Sequence, residues 1–177
     1  MVAKSITKLI DEAIIPAMFL ILAKLVGLFT ATYFLNLTFE IKSRSFMGVL
    51  PSLSFATLND YIRAENYSNL AMLAAATLGC ALVLIQAHYL HVSHIHPKLH
   101  AKLASLNLES LVSSSFHLYH QAAIWLIFLW LTTGFLVLSS ILQVTYAQIS
   151  IIAFIVAANF SWLFAVDIEK EVELGSQ

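Results

Sequence analysis

Two stretches of the chain, residues 69–90 (NLAMLAAATLGCALVLIQAHYL) and 122–142 (AAIWLIFLWLTTGFLVLSSIL), contain no Asp, Glu, Lys or Arg. Each is close to the ~20 residues an α-helix needs to cross a bilayer's hydrocarbon core. A run this long and uncharged is hard to bury in a water-soluble domain of 177 residues, so the bilayer becomes the expected solvent. Composition agrees. The chain is 60% hydrophobic and 11% charged, against ~45–50% and ~25% in soluble domains.

Two further spans complete the expected architecture. Residues 17–37 follow Pro16, a residue suited to a helix's first turn and disruptive in its interior. Before it, residues 2–15 place Ile6, Leu9, Ile10, Ala13 and Ile14 on one face, the pattern of a short amphipathic helix lying in the interface. At the other end, no Asp, Glu, Lys or Arg occurs between Glu109 and Asp167, a length too great for one crossing. The polar segment 143–148 (QVTYAQ) is the natural turning point, which leaves 149–166 as the last span, followed by the acidic tail DIEKEVELGSQ.

The fold expected is therefore all-α: a single integral membrane domain over residues 1–177, a four-helix bundle with a short amphipathic N-terminal helix. Residues 51–65 read as a second amphipathic helix on the membrane surface, with Ser52 as its N-cap and Asp60–Arg63 as an i,i+3 pair. Residues 97–107 read as the turn between the second and third spans. Asp11 and Glu12 precede the first apolar run and no small-x-small cleavage site ends it, so that run is expected to act as an uncleaved anchor.

Basic residues outside the spans set the expected orientation. Lys4, Lys8, Lys98, Lys102 and Lys170 lie on one side, and Lys42, Arg44 and Arg63 on the other. This puts both termini in the cytoplasm, with the chain in the plasma or inner membrane.

Polar residues inside the apolar runs are the candidate functional groups. Lys24 is the only formal charge within a span, and an intramembrane charge requires a partner or an escape to water. Snorkelling of its long stem is one solution; a polar cluster with Asn159 of the last span is another.

All seven histidines lie between residues 88 and 120. His88-Tyr-Leu-His91 and His117-Leu-Tyr-His120 are each H-x-x-H at i,i+3, so each pair shares a helix face. Antiparallel pairing of the two helices sets His88 opposite His120 and His91 opposite His117. Four imidazoles meeting there would suit Zn²⁺ or Cu²⁺. Alternatively, His88 and His120 would ligate a b-type haem. The bland reading is interfacial and packing histidines.

The remaining chemistry is excluded or weak. A formal net charge of -1 gives no reason to expect a nucleic-acid partner. Phosphate-binding Gly-rich loops, H-E-x-x-H and G-x-S-x-G are absent, and the single Cys80 reads as a small core residue. Small residues recur through the second span, which should make it central. The bulky third span should face lipid or another protein over much of its surface.

The function expected is a non-enzymatic structural, assembly or accessory subunit of a membrane complex, partnered by lipid and by other membrane subunits or copies of itself. A haem- or metal-binding membrane protein is the second reading. A small transporter or channel protomer using Lys24 and Asn159 is the third.

Overall fold

A computed structural model of the chain describes residues 2–46, 50–90, 95–108, 112 and 115–175. Helix α1 (Val2–Phe34) leads into a two-stranded antiparallel hairpin, β1 (Phe39–Phe46) and β2 (Leu50–Phe55). Helix α2 (Leu58–Tyr89) follows, then the short α3 (Pro97–Ser105), α4 (Ser115–Ile141) and α5 (Ala147–Gly175). Four of these helices, α1, α2, α4 and α5, are long and apolar enough to cross a membrane. The four long runs read from the sequence thus correspond to four helices, though their limits differ.

Pro16 does not open a new helix. It sits inside α1, so the amphipathic segment 2–15 and the first span are one continuous rod. An interior proline forfeits one backbone hydrogen bond, a loss that apolar helices tolerate when neighbouring groups resatisfy the freed carbonyl.

The segment 51–65 is also different from its expectation. Its first residues form β2, and α2 begins at Leu58 and runs without a break through the second span. The N-cap is Thr57 rather than Ser52. Its backbone is extended, its side chain accepts from the Asp60 N–H, and its hydroxyl donates to the Asp60 carboxylate at 2.8 Å. The strands follow from alternation, apolar with polar, in Phe39-Glu-Ile-Lys42 and Ser52-Leu-Ser-Phe55. Their register pairs Phe39 with Phe55 and Ile41 with Leu53, and breaks between Lys42 and Phe46. Pro51 is tolerated because each strand of a lone hairpin has a free edge. A line of rings fixes the hairpin's base to the helices: Phe29 on α1 to Phe39 at 6.5 Å, Phe39 to Phe55 at 6.4 Å, and Phe55 to Tyr61 on α2 at 6.0 Å.

Residues 97–107 are mostly helical rather than a bare turn, with His96 capping α3 through its ring nitrogen. Helices α1, α3 and α4 end alike. Asn36, Asn107 and Gln143 take a left-handed backbone conformation, and the next N–H bonds back to the carbonyls of Thr32, Leu103 and Ser139 respectively.

Helices α2 and α4 pack on one another, α1 docks on α2, and α5 docks on α4. Contacts of α1 with α4 and of α5 with α2 are sparser, so α1 and α5 flank the central pair from either side. The expectation that α2 is central holds, and it is the most buried of the four long helices. The third span is exposed on one side only. Leu118, Leu129 and Leu136 of α4 are fully buried, while Ile127 and Leu131 are exposed. Leu129 and Leu136 share one core cluster with Ala75, Ala76, Cys80, Ala153 and Ala157, small residues that let backbones approach.

Gly27 marks a close approach of α1 to α2. A Cβ there would lie 2.5 Å from the Ala71 Cβ and 3.0 Å from the Ser68 Cα, atoms that cannot swing aside. Gly134 has open space around it. Gly27→Ala is therefore expected to destabilise by about 1–3 kcal/mol through overpacking, whereas Gly134→Ala should be stabilising by about 0.5–1 kcal/mol. Unfolding titrations in mixed detergent micelles measure both.

Candidate functional site

Lys24 lies ten residues before the end of α1 at Phe34, and Glu65 seven residues after the start of α2 at Leu58. At 1.5 Å per residue these are depths of roughly 15 and 10 Å from the same end of the antiparallel pair. The Lys24 ammonium donates to Glu65 Oε1 at 2.5 Å and to Asn69 Oδ1 at 2.7 Å. It also stands 5.0 Å from the centre of the Phe135 ring on α4, within cation–π range. The charge is met where it lies, by a carboxylate one helix away.

The same cluster reaches further. Asn69 is fully buried, and its amide nitrogen donates to the Thr145 hydroxyl at 2.7 Å in the α4–α5 turn. One turn earlier, Asn66 accepts from the Tyr146 N–H at 2.8 Å and donates to the Val144 carbonyl at 3.3 Å. Ser68 donates to the Lys24 carbonyl at 2.7 Å. A run of four polar residues on α2, Glu65, Asn66, Ser68 and Asn69, therefore binds α1 on one side and the α4–α5 turn on the other.

Asn159 takes no part. It is exposed on α5, where its amide donates to the Ile155 carbonyl of its own helix at 2.7 Å. The proposed Lys24–Asn159 cluster is thus corrected to Lys24–Glu65–Asn69. Sequence reading missed Glu65 because it assigned that residue to a separate surface helix. The spacing of Glu65 and Asn69, four residues apart on a helix that continues into the span, was the available signal.

At the opposite end, the histidines separate rather than converge. His88 on α2 faces α5, with Nδ1 2.6 Å from Asp167 Oδ1. Asp167 also accepts from the Tyr119 hydroxyl of α4 at 2.9 Å. His117 and His120 on α4 face α1, with ring nitrogens 3.7 and 3.3 Å from the Glu12 carboxylate oxygens. His117 further contacts the Gln121 amide at 3.2 Å. The two H-x-x-H helices do pack together, but these side chains lie in the grooves on either side of the contact. His88 and His120 thus have separate carboxylate partners on different helices. His91 lies outside the described residues. Among the described residues, no three His, Cys, Asp or Glu side chains converge on a site for a metal ion.

Chemically, both ends do the same kind of work: each flanking helix brings a charged group to the central pair, Lys24 and Glu12 from α1 and Asp167 from α5. The class this defines is a predominantly helical chain with four helices of membrane-crossing length and apolarity. Beyond that class, no protein-family model, curated protein or solved structure matches the chain.

Glu65 is only 14% exposed and Lys24 29%, so removing one partner strands the other. Lys24→Met is expected to destabilise by about 3–5 kcal/mol, as broken buried pairs do, and Lys24→Met/Glu65→Leu by clearly less. A double-mutant cycle read by unfolding in detergent should give a coupling of about 1–3 kcal/mol. Strict additivity would contradict the ion pair.

Proposed function

We propose that this chain is an integral membrane protein, a four-helix bundle with both termini on the cytoplasmic side, and that it serves as a non-enzymatic structural, assembly or accessory subunit of a membrane complex. The observation that carries this reading is the inside-out division of polarity along the long helices. Their outward faces are large and apolar: Ile15 and Ile141 are each 72% exposed, with Leu82 and Trp162 close behind. Apolar area of this kind costs about 25 cal/mol per Å² when left in water, and patches this extensive mark a lipid or protein contact.

The inward polar groups are spent on holding helices together. Lys24, Asn66 and Asn69 serve the α1–α2 and α2-to-turn ties. Ser150 donates to the Leu136 carbonyl at 2.8 Å. A lysine whose ammonium is engaged by a carboxylate, an amide and a ring supports a cohesive role more than a transport one. The outward apolar face then remains as the surface for lipid and for partner subunits.

Expression with reporter tags at both ends, followed by alkaline carbonate extraction and protease protection, tests the first half. The chain should stay with the membrane pellet and both tags should report the same compartment. Release into the supernatant, or tags in opposite compartments, would contradict it. Cross-linking in intact membranes tests the second half: stoichiometric higher-mass species are expected, and a protein that is monomeric throughout would argue against a subunit role.

A further inference from the structure

The geometry points to a binding site for one zwitterionic glycerophospholipid in the groove between α2 and α5, with an acyl chain along its apolar wall and the phosphate at Lys170. This inference rests on the membrane reading above. The groove has a volume of about 420 Å³, within the ~300–1,000 Å³ typical of small-molecule sites. It exists because α5 docks on α4 and only sparsely on α2, and because Ala81 leaves space where a larger residue would close it.

Its lining changes character along its length. Ala81, Leu84 and Ile85 of α2 face Phe160 and Leu163 of α5 in the apolar part. About 10 Å further along, at seven residues of 1.5 Å each, come His88, Tyr89, Asp167 and Lys170. This is the layout a lipid presents, hydrocarbon first and polar head second. Three other clefts of similar size, one between α1 and α2, one between α4 and α5 and one between α1 and the start of β1, have no charged residue in their lining. Among these four, only the α2–α5 groove has a head-group end.

Charge complementarity selects the head. The Asp167 carboxylate is already held by His88 and by the Tyr119 hydroxyl, which leaves Lys170 as the cation at the mouth and Tyr89 beside it, 61% exposed. A lysine ammonium and a tyrosine hydroxyl suit a phosphate. Asp167 and Lys170 both line this end of the groove, so the mouth presents one carboxylate beside one ammonium. An extra net negative charge is disfavoured there, whereas a phosphate followed by an ammonium, as in phosphatidylethanolamine, matches the alternation of sign.

Native mass spectrometry of the full chain, delipidated in detergent and then offered phosphatidylethanolamine or phosphatidylglycerol, tests the site. One phosphatidylethanolamine per chain is expected, retained about tenfold better than phosphatidylglycerol. Leu163→Trp, at an exposed position on the groove wall, and Ala81→Leu should each reduce retention about tenfold. Ile152→Trp, on a lipid-facing position elsewhere on α5, should leave it unchanged, and Lys170→Ala should reduce the retention of both lipids, because both present a phosphate to that ammonium. If Ala81→Leu does not fold, Leu163→Trp carries the test. No retained lipid, or retention unaltered by the groove substitution, overturns the site; a preference for phosphatidylglycerol overturns the head-group assignment. Carbonate extraction of the same wild-type membranes is read separately, so a chain that stays embedded but keeps no lipid refutes this site and not the membrane reading.

Discussion

An ammonium group within an apolar helix needs a partner or an escape to water. In this chain the Lys24–Glu65 contact supplies the partner, with Asn69 taking a second proton of the same ammonium. That requirement fixes the register of α1 against α2, because only one sliding position brings the two charges level. The Gly27 contact with Ala71 and Ser68 lies one turn along the same seam, so charge and steric fit specify the same alignment. Asn69 then passes the constraint on to the α4–α5 turn through Thr145. In low dielectric such linked polar groups are costly when half-satisfied and specify structure when complete.

The opposite end is built on the same logic with different residues. The central pair α2 and α4 exposes two grooves, and each flanking helix enters one of them carrying a carboxylate. Glu12 meets the His117 and His120 rings, and Asp167 meets His88 and Tyr119. Pairing histidines with acids across helices joins both flanks to the core at this end, as Lys24 joins α1 at the other. It also accounts for the shape of the α2–α5 groove. Asp167 draws the mouth together while the slack contact above it leaves the slot open. In the proposed setting, the outer apolar surface that remains is solvated by lipid.

The long helices were legible because nothing else explains two uncharged runs of such length, and the α4–α5 turn because Gln143–Gln148 interrupts the longest of them. Pro16 misled because a general rule about helix interiors was applied to a residue that the surrounding rod accommodates. Glu65 is hidden by a boundary: a surface helix over residues 51–65 gives its charge no reason to face Lys24. The alternation at Ser52–Phe55 is in plain view and points to a strand over the first third of that segment. His88 and His120 part for a subtler reason. Antiparallel packing predicts which residues stand at equal height, but not whether they point into the shared contact or into the grooves beside it, and that rotation is set by where α1 and α5 dock.

The most direct test of this account is a solid-state dipolar-recoupling measurement in lipid vesicles between isotope-labelled lysine side-chain nitrogens and glutamate carboxyl carbons, with Lys24→Met as the assignment control. The account predicts a strong direct-contact coupling that disappears in the variant. No coupling assignable to Lys24, with the chain folded in the vesicle, would contradict the claim that this pair sets the register of the helices.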